Sequence, residues 1–171
     1  MDYLLTEEQI MIRDLARQIA VEKIVPVRAE LDEQNKFPRD IMKAIAQADL
    51  YALFIPEEYG GLGKKSLELC ITVEELSKAC VGVATTYASS ALGTYPILLY
   101  GSEEQKKKFL PDVATGKSLV AFGLTEANAG SDASGIQTTA KLEGNEYVLN
   151  GTKQWITNGG EAELYTIIAI T

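Results

Sequence analysis

Apolar positions recur with one period over the first two thirds of the chain and with another over the remainder. Thr6 can cap a helix while Gln9 reaches back to it, and Ile12, Leu15, Ala16, Ile19 and Ala20 then share one face until Pro26 bends or ends the run. A second helix takes Pro38 as its first residue and buries Ile41, Ala44, Ile45 and Ala48. Tyr59-Gly60-Gly61-Leu62-Gly63 reads as a flexible connection. From Ser66 a third helix turns Leu69, Val73, Leu76 and Cys80 inward. A fourth, rich in small residues, runs over 83–94, and Pro96 opens a short one after it. Ser102 and Gln105 form a second capping box, before a last helix whose Lys106, Lys107 and Lys108 are its solvated side.

After Thr115-Gly116-Lys117 the residues become β-branched and aromatic, with strands expected over 119–124, 136–142, 147–149, 154–157 and 164–170. Asn145 lies in a turn, and Asn150-Gly151 signals a hairpin or a bulge. The pattern predicts an α+β chain, with an all-helical domain over 1–115 followed by part of an antiparallel β domain over 116–171. No turn signal follows the apolar run 164–170, so a neighbouring strand is expected to be missing and the chain reads as a fragment.

Composition narrows the chemistry. With 171 residues and 46% hydrophobic content the chain can bury a core. A net charge of −8 argues against nucleic acid or an anionic membrane as partner, although backbone N–H groups and hydroxyls can still hold a phosphate. The absence of histidine removes Ser-His-Asp and Cys-His nucleophilic sites and His-based metal sites, so no metal is expected. Cys70 and Cys80 fall on different faces of one helix, and two buried reduced thiols are expected. No leader pattern opens the chain and no apolar run approaches the ~18 residues of a membrane span, so a cytoplasmic location is expected.

Candidate chemistry sits in 123–135 and 150–158. Phe122 and Leu124 end an apolar run, and backbone N–H groups beyond it are free to meet a ligand. Gly130 permits close backbone approach, while Thr125 and Ser131 add hydroxyls. Trp155 can lay its indole on a ring, with Thr157 on the same strand face two residues on. Taken alone, Thr125 is a strand-end hydroxyl, Trp155 a core aromatic, and Ser131 with Asp132 a turn.

These two segments resemble the signature regions of the acyl-CoA dehydrogenase family. So do Leu5-Thr6-Glu7-Glu8-Gln9, Phe37-Pro38, Ile55-Pro56-Glu57-Glu58-Tyr59-Gly60-Gly61-Leu62-Gly63 and Tyr100-Gly101-Ser102-Glu103-Glu104-Gln105-Lys106, in the family's order. Ala127 and Asn128 depart mildly, standing where many members carry proline or glycine. The resemblance implies an FAD enzyme that converts an acyl-CoA to its 2,3-enoyl-CoA with hydride transfer to flavin N5. It places FAD on Phe122, Leu124, Thr125, Gly130, Ser131, Trp155, Ile156 and Thr157. Thr125 would meet the pyrimidine edge, Ser131 the pyrophosphate beside the acyl-CoA, and Thr157 the N5 or O4 region. Leu92, Gly93 and Thr94 would face the acyl tail, or else be small residues that permit close helix packing. Glu126 and Asp132 are rejected as the α-proton base, which the family draws from a carboxy-terminal domain; Glu126 is expected to be a structural ion-pair partner. An electron-transfer flavoprotein as acceptor and a homotetramer or homodimer are implied as well. An acyl-CoA oxidase or flavin monooxygenase on the same scaffold, or a non-catalytic half-module, remain alternatives.

Overall fold

The computed structural model describes residues 4–171. Helix α1 (Glu7–Ile19) begins as expected: the Thr6 hydroxyl accepts from the Gln9 N–H at 3.2 Å, and the Gln9 side chain accepts from the Thr6 N–H at 3.0 Å. A π turn (Ala20–Ile24) extends it and buries Ala20 and Ile24 before Pro26. Next come α2 (Arg28–Glu33) and α3 (Arg39–Gln47). Pro38 caps α3 from outside rather than opening it, and the buried stripe is Ile41, Met42 and Ile45. Ala44 and Ala48 are only half-buried. Helices α4 (Ser66–Ala79), α5 (Val81–Tyr100) and α6 (Glu103–Ala114) complete the helical layer. The Ser102–Gln105 capping box starts α6 as expected.

Four expectations are corrected. The stretch 59–63 is not loose: Tyr59 is buried, and the Leu62 and Lys64 N–H groups donate to the Ala52 and Leu53 carbonyls at 2.8 Å each. A Cβ on Gly61 would overlap the Ile55 carbonyl, so glycine is required there by close approach. Helix α4 buries Glu68, Ile71, Thr72, Glu75, Leu76 and Ala79, leaving Leu69 and Val73 half-buried. Its rotation brings both carboxylates to partners on α1, where the Gln9 amide reaches Glu68 at 2.8 Å and the Arg17 guanidinium reaches Glu75 at 3.0 and 3.1 Å. The Arg17 bond holds the Glu75 carboxyl below its ordinary range. Helix α5 runs unbroken through Pro96, giving up one N–H beside exposed Leu92. The cysteines are free, but Cys70 is exposed and Cys80 only half-buried.

Leu50–Phe54 forms a 3-10 turn, unforeseen in the sequence pattern, all five of whose residues are buried. Tyr87 of α5 donates from its hydroxyl to the Leu50 carbonyl at 2.7 Å, and the Tyr51 and Tyr87 rings meet edge to face at 5.2 Å. This aromatic pair centres a core shared by α1, α3, α4, α5 and α6.

Strand β1 (Val120–Gly123) lies against α5 and pairs in parallel with β4 (Leu164–Ile167), Val120 opposite Leu164. The intervening chain makes the long crossover that parallel pairing requires. Strands β2 (Thr139–Glu143) and β3 (Glu146–Asn150) form the antiparallel hairpin, turning at Gly144-Asn145 where Gly144 has φ +63°. A bridge between Thr139 and Ile170 joins the two ladders. The α+β order and the antiparallel hairpin agree with the sequence pattern, and the parallel β1–β4 pair is added to it. Gly151 does not turn a hairpin: it passes so close to Thr138 that a Cβ would overlap that side chain. Among the described residues no helix is long and apolar enough to cross a membrane.

Candidate functional site

Past the end of β1 the backbone leaves the sheet, and residues 124–126 are held beside 153–154 by one backbone bond and by the Lys153 side chain. The Gln154 N–H donates to the Thr125 carbonyl at 2.8 Å. Lys153 Nζ donates to the Leu124 carbonyl at 2.9 Å and to Glu126 Oε1 at 2.8 Å. Glu126 also accepts from the Gln137 N–H at 2.7 Å, the Thr138 N–H at 2.9 Å and the Thr138 hydroxyl. The Lys153 and Glu126 side chains are 9% and 10% exposed, so the pair is largely shielded from solvent. The Lys153 ammonium, then the Thr138 and Gln137 donors, hold the Glu126 carboxyl down at about 2. Such a carboxylate is a poor proton acceptor, in keeping with its rejection as the base.

The expected strand over 154–157 does not form. Trp155 has φ +59° and Asn158 φ +66°, two left-handed non-glycine residues within four positions, so Trp155 and Thr157 do not share a strand face. Thr157 instead opens a turn over 157–161. The segment is fixed from below by Asn158, whose Nδ2 donates to the Thr86 carbonyl at 3.0 Å, the Val120 carbonyl at 3.0 Å and Ser90 Oγ at 3.3 Å. Trp155 is therefore not a core aromatic; it is 82% exposed.

The remaining candidates divide into two groups. Thr125 is half-buried, and its N–H and hydroxyl have no partner among the described residues. Gly130 and Ser131 are exposed at the loop tip, with open space where a Gly130 Cβ would stand. Asp132 closes that loop by accepting from the Ser134 hydroxyl and the Gly135 N–H. Phe122, Leu124, Ile156 and Thr157 are half-buried beside these donors in sequence. Gly93 and Thr94, by contrast, are buried on α5: a Cβ on Gly93 would meet Val120 Cγ1 at 2.6 Å, and the Thr94 hydroxyl donates to the Ser90 carbonyl at 2.6 Å. Thr166 of β4 donates to the Gly93 carbonyl at 2.6 Å, while neighbouring Leu92 stays 52% exposed.

Sequence reasoning singled out Glu126 but missed its partners Lys153 and Thr138, and it missed Asn158. Lys153 was the cation flanked by Gly151 and Trp155, and Asn158-Gly159-Gly160 carried a turn signal that the strand expectation overrode. Together, an exposed indole, unpartnered donors at Thr125 and Ser131 and a pinned backbone suit a flat ligand with a polar edge and an anionic tail.

Known proteins carry the same frame. The description "acyl-CoA dehydrogenase, N-terminal domain" matches residues 6–117 and "acyl-CoA dehydrogenase, middle domain" matches residues 121–171. The probable acyl-CoA dehydrogenase YngJ of Bacillus subtilis is 41% identical over all of this chain and 45% of its own length. The structure of butyryl-CoA dehydrogenase from Megasphaera elsdenii superposes with TM-score 0.94 at 39% identity, covering 100% of this chain and 46% of that one. A Bacillus anthracis acyl-CoA dehydrogenase complexed with FAD superposes with TM-score 0.89 at 40% identity, covering 96% of this chain and 29% of that one. The chain thus spans about half the length of the curated relatives it matches.

Proposed function

Because this chain belongs to the acyl-CoA dehydrogenase family, we propose that the protein containing it oxidises an acyl-CoA to the 2,3-enoyl-CoA with FAD as cofactor. The observation that carries the reading is the exposed, left-handed Trp155 beside the unpartnered Thr125 donors, fastened by the Gln154–Thr125 and Lys153–Glu126 bonds. Bound FAD supplies the acceptor for the substrate's β-hydride. Thr125 donates its N–H and hydroxyl to the pyrimidine edge, where fixed donors stabilise the negative charge that reduction brings. Trp155 covers one ring face, the Thr157 hydroxyl meets the N5 or O4 region, and Ser131 with the Gly130 backbone holds the pyrophosphate. Phe122, Leu124 and Ile156 wall the ring, and exposed Leu92 faces the acyl tail, whereas Gly93 and Thr94 are the small residues that pack α5 closely on β1.

This chain contributes no base to the reaction. Glu126 is locked in its clamp with a carboxyl held at about 2, and Asp132 closes a turn. The division near Gly116 separates a helical part that shapes the acyl side from a β part that shapes the flavin side. An electron-transfer flavoprotein as acceptor, a homo-oligomeric assembly and a cytoplasmic location belong to the same reading. Stopped-flow mixing of the flavin-loaded full-length protein with acyl-CoA tests it: bleaching of the oxidised flavin, without oxygen uptake, is expected. Rapid oxygen uptake would point to an oxidase or a monooxygenase, and no flavin binding would overturn the reading.

A further inference from the structure

Asn158 lies outside the set of residues expected to touch flavin, yet it is 6% exposed and makes three hydrogen bonds that no other side chain of the turn replaces. Its two backbone acceptors belong to different elements: Thr86 to α5 and Val120 to β1. Ser90, the third partner, also accepts from the Val120 N–H at 3.3 Å, so the amide sits where helix, strand and turn meet. Its φ of +66° makes it the second left-handed residue of the segment, and its Oδ1 is buried with no partner among the described residues. A buried carbonyl oxygen left unpaired and a backbone in an uncommon region are both unfavourable, and such features persist where the surroundings fix a geometry that a site uses.

We propose that Asn158 is the positioning residue of the flavin surface: by bonding α5 and β1 together it holds the 155–157 backbone in the conformation that presents Trp155 and the Thr157 hydroxyl. The inference rests on the flavin reading above and adds a residue to it. Thr86 and Ser90 lie on the same helix as Leu92, no more than two turns from it.

Asn158→Gly and Asn158→Ala in the full-length protein separate the contributions. Glycine adopts positive φ freely and removes only the amide, whereas alanine removes the amide and strains the backbone. FAD affinity and the visible flavin spectrum are read beside the thermal midpoint of the apoprotein. Ile45→Val, a fully buried α3 position remote in sequence from the turn, serves as the stability control. The proposal expects FAD binding to weaken about tenfold or more in Asn158→Gly, further in Asn158→Ala, with an altered flavin spectrum, while Ile45→Val lowers the midpoint and leaves affinity and spectrum alone. If Asn158→Gly binds FAD with unchanged affinity and spectrum, or Ile45→Val weakens FAD as much for the same loss of midpoint, the proposal is overturned. Failure of the unsubstituted protein to bind FAD would instead overturn the flavin reading, so the two failures are distinguishable.

Discussion

The Tyr51–Tyr87 core and the 153–158 segment are held by different physics. Around Tyr87 the chain is regular, apolar and fully buried, and its stability comes from area removed from water. In the 153–158 segment the backbone is irregular and half-exposed, and it is fixed by a few side chains bonded to backbone carbonyls: Lys153 to Leu124, Asn158 to Thr86 and Val120. A ligand-binding backbone cannot use its own N–H groups in a ladder and also offer them to a ligand, so side chains take over the fixing. Substitutions in the core are therefore expected to change stability, and those in the segment to change binding.

The largest effect belongs to the core. Leu76→Ala, at a fully buried α4 position, should destabilise by about 2–5 kcal/mol through lost burial and a residual cavity, read as a shift in the urea midpoint. Flavin affinity per folded molecule should stay the same; a change there would break the division between the regions.

Legibility follows the same line. Capping boxes at Thr6 and Ser102 could be read because spacing alone specifies them; of the expected α1 stripe Ala16, Ile19 and Ala20 are buried, while Ile12 is half-buried and Leu15 is exposed. The stripe of α4 was misread because Glu68 and Glu75 are buried against Gln9 and Arg17, partners nearly sixty residues away that no local period reveals. The 154–157 segment was misread for a related reason: Trp155 and Ile156 have strand propensity, but bonds from Gln154 and Asn158 to distant carbonyls override it. The motifs named the candidate residues, but the left-handed backbone at Trp155 and Asn158 was not legible in them.

Gly93→Ala tests the seam between the regions. The added Cβ would stand 2.6 Å from Val120 Cγ1 and 3.1 Å from the Ala121 carbonyl, forcing β1 away from α5. A loss of about 1–3 kcal/mol is expected, and because β1 leads into Thr125 and carries Val120, a partner of Asn158, flavin affinity should fall with it. Calorimetry and flavin titration on the same sample check both.

The Glu126 clamp gives a pH signature. Its carboxyl titrates near 2 in the folded chain, below its ordinary value of 4.5, so the clamp's contribution is fully present above about 4.5 and fades as the pH falls toward about 2. Glu126→Gln should flatten the fall of the thermal midpoint across that window and leave the midpoint's pH dependence above 5 unchanged. An acid limb identical to that of the unsubstituted protein would remove Glu126 from the account. Smallest is Ser102→Ala, which removes one α6 cap and should cost about 1 kcal/mol with flavin binding untouched, checked by denaturant titration.

The central claim is that the backbone and hydroxyl of Thr125 form the polar edge of a flavin site. Thr125→Val keeps the β-branched shape and deletes only the hydroxyl. The dissociation constant of FAD from full-length Thr125→Val, measured by flavin fluorescence beside the apoprotein's melting curve, tests this most directly. The account predicts binding weaker by about 1 kcal/mol, some five- to tenfold, with an unchanged melting curve. Equal affinity in the two proteins would contradict it.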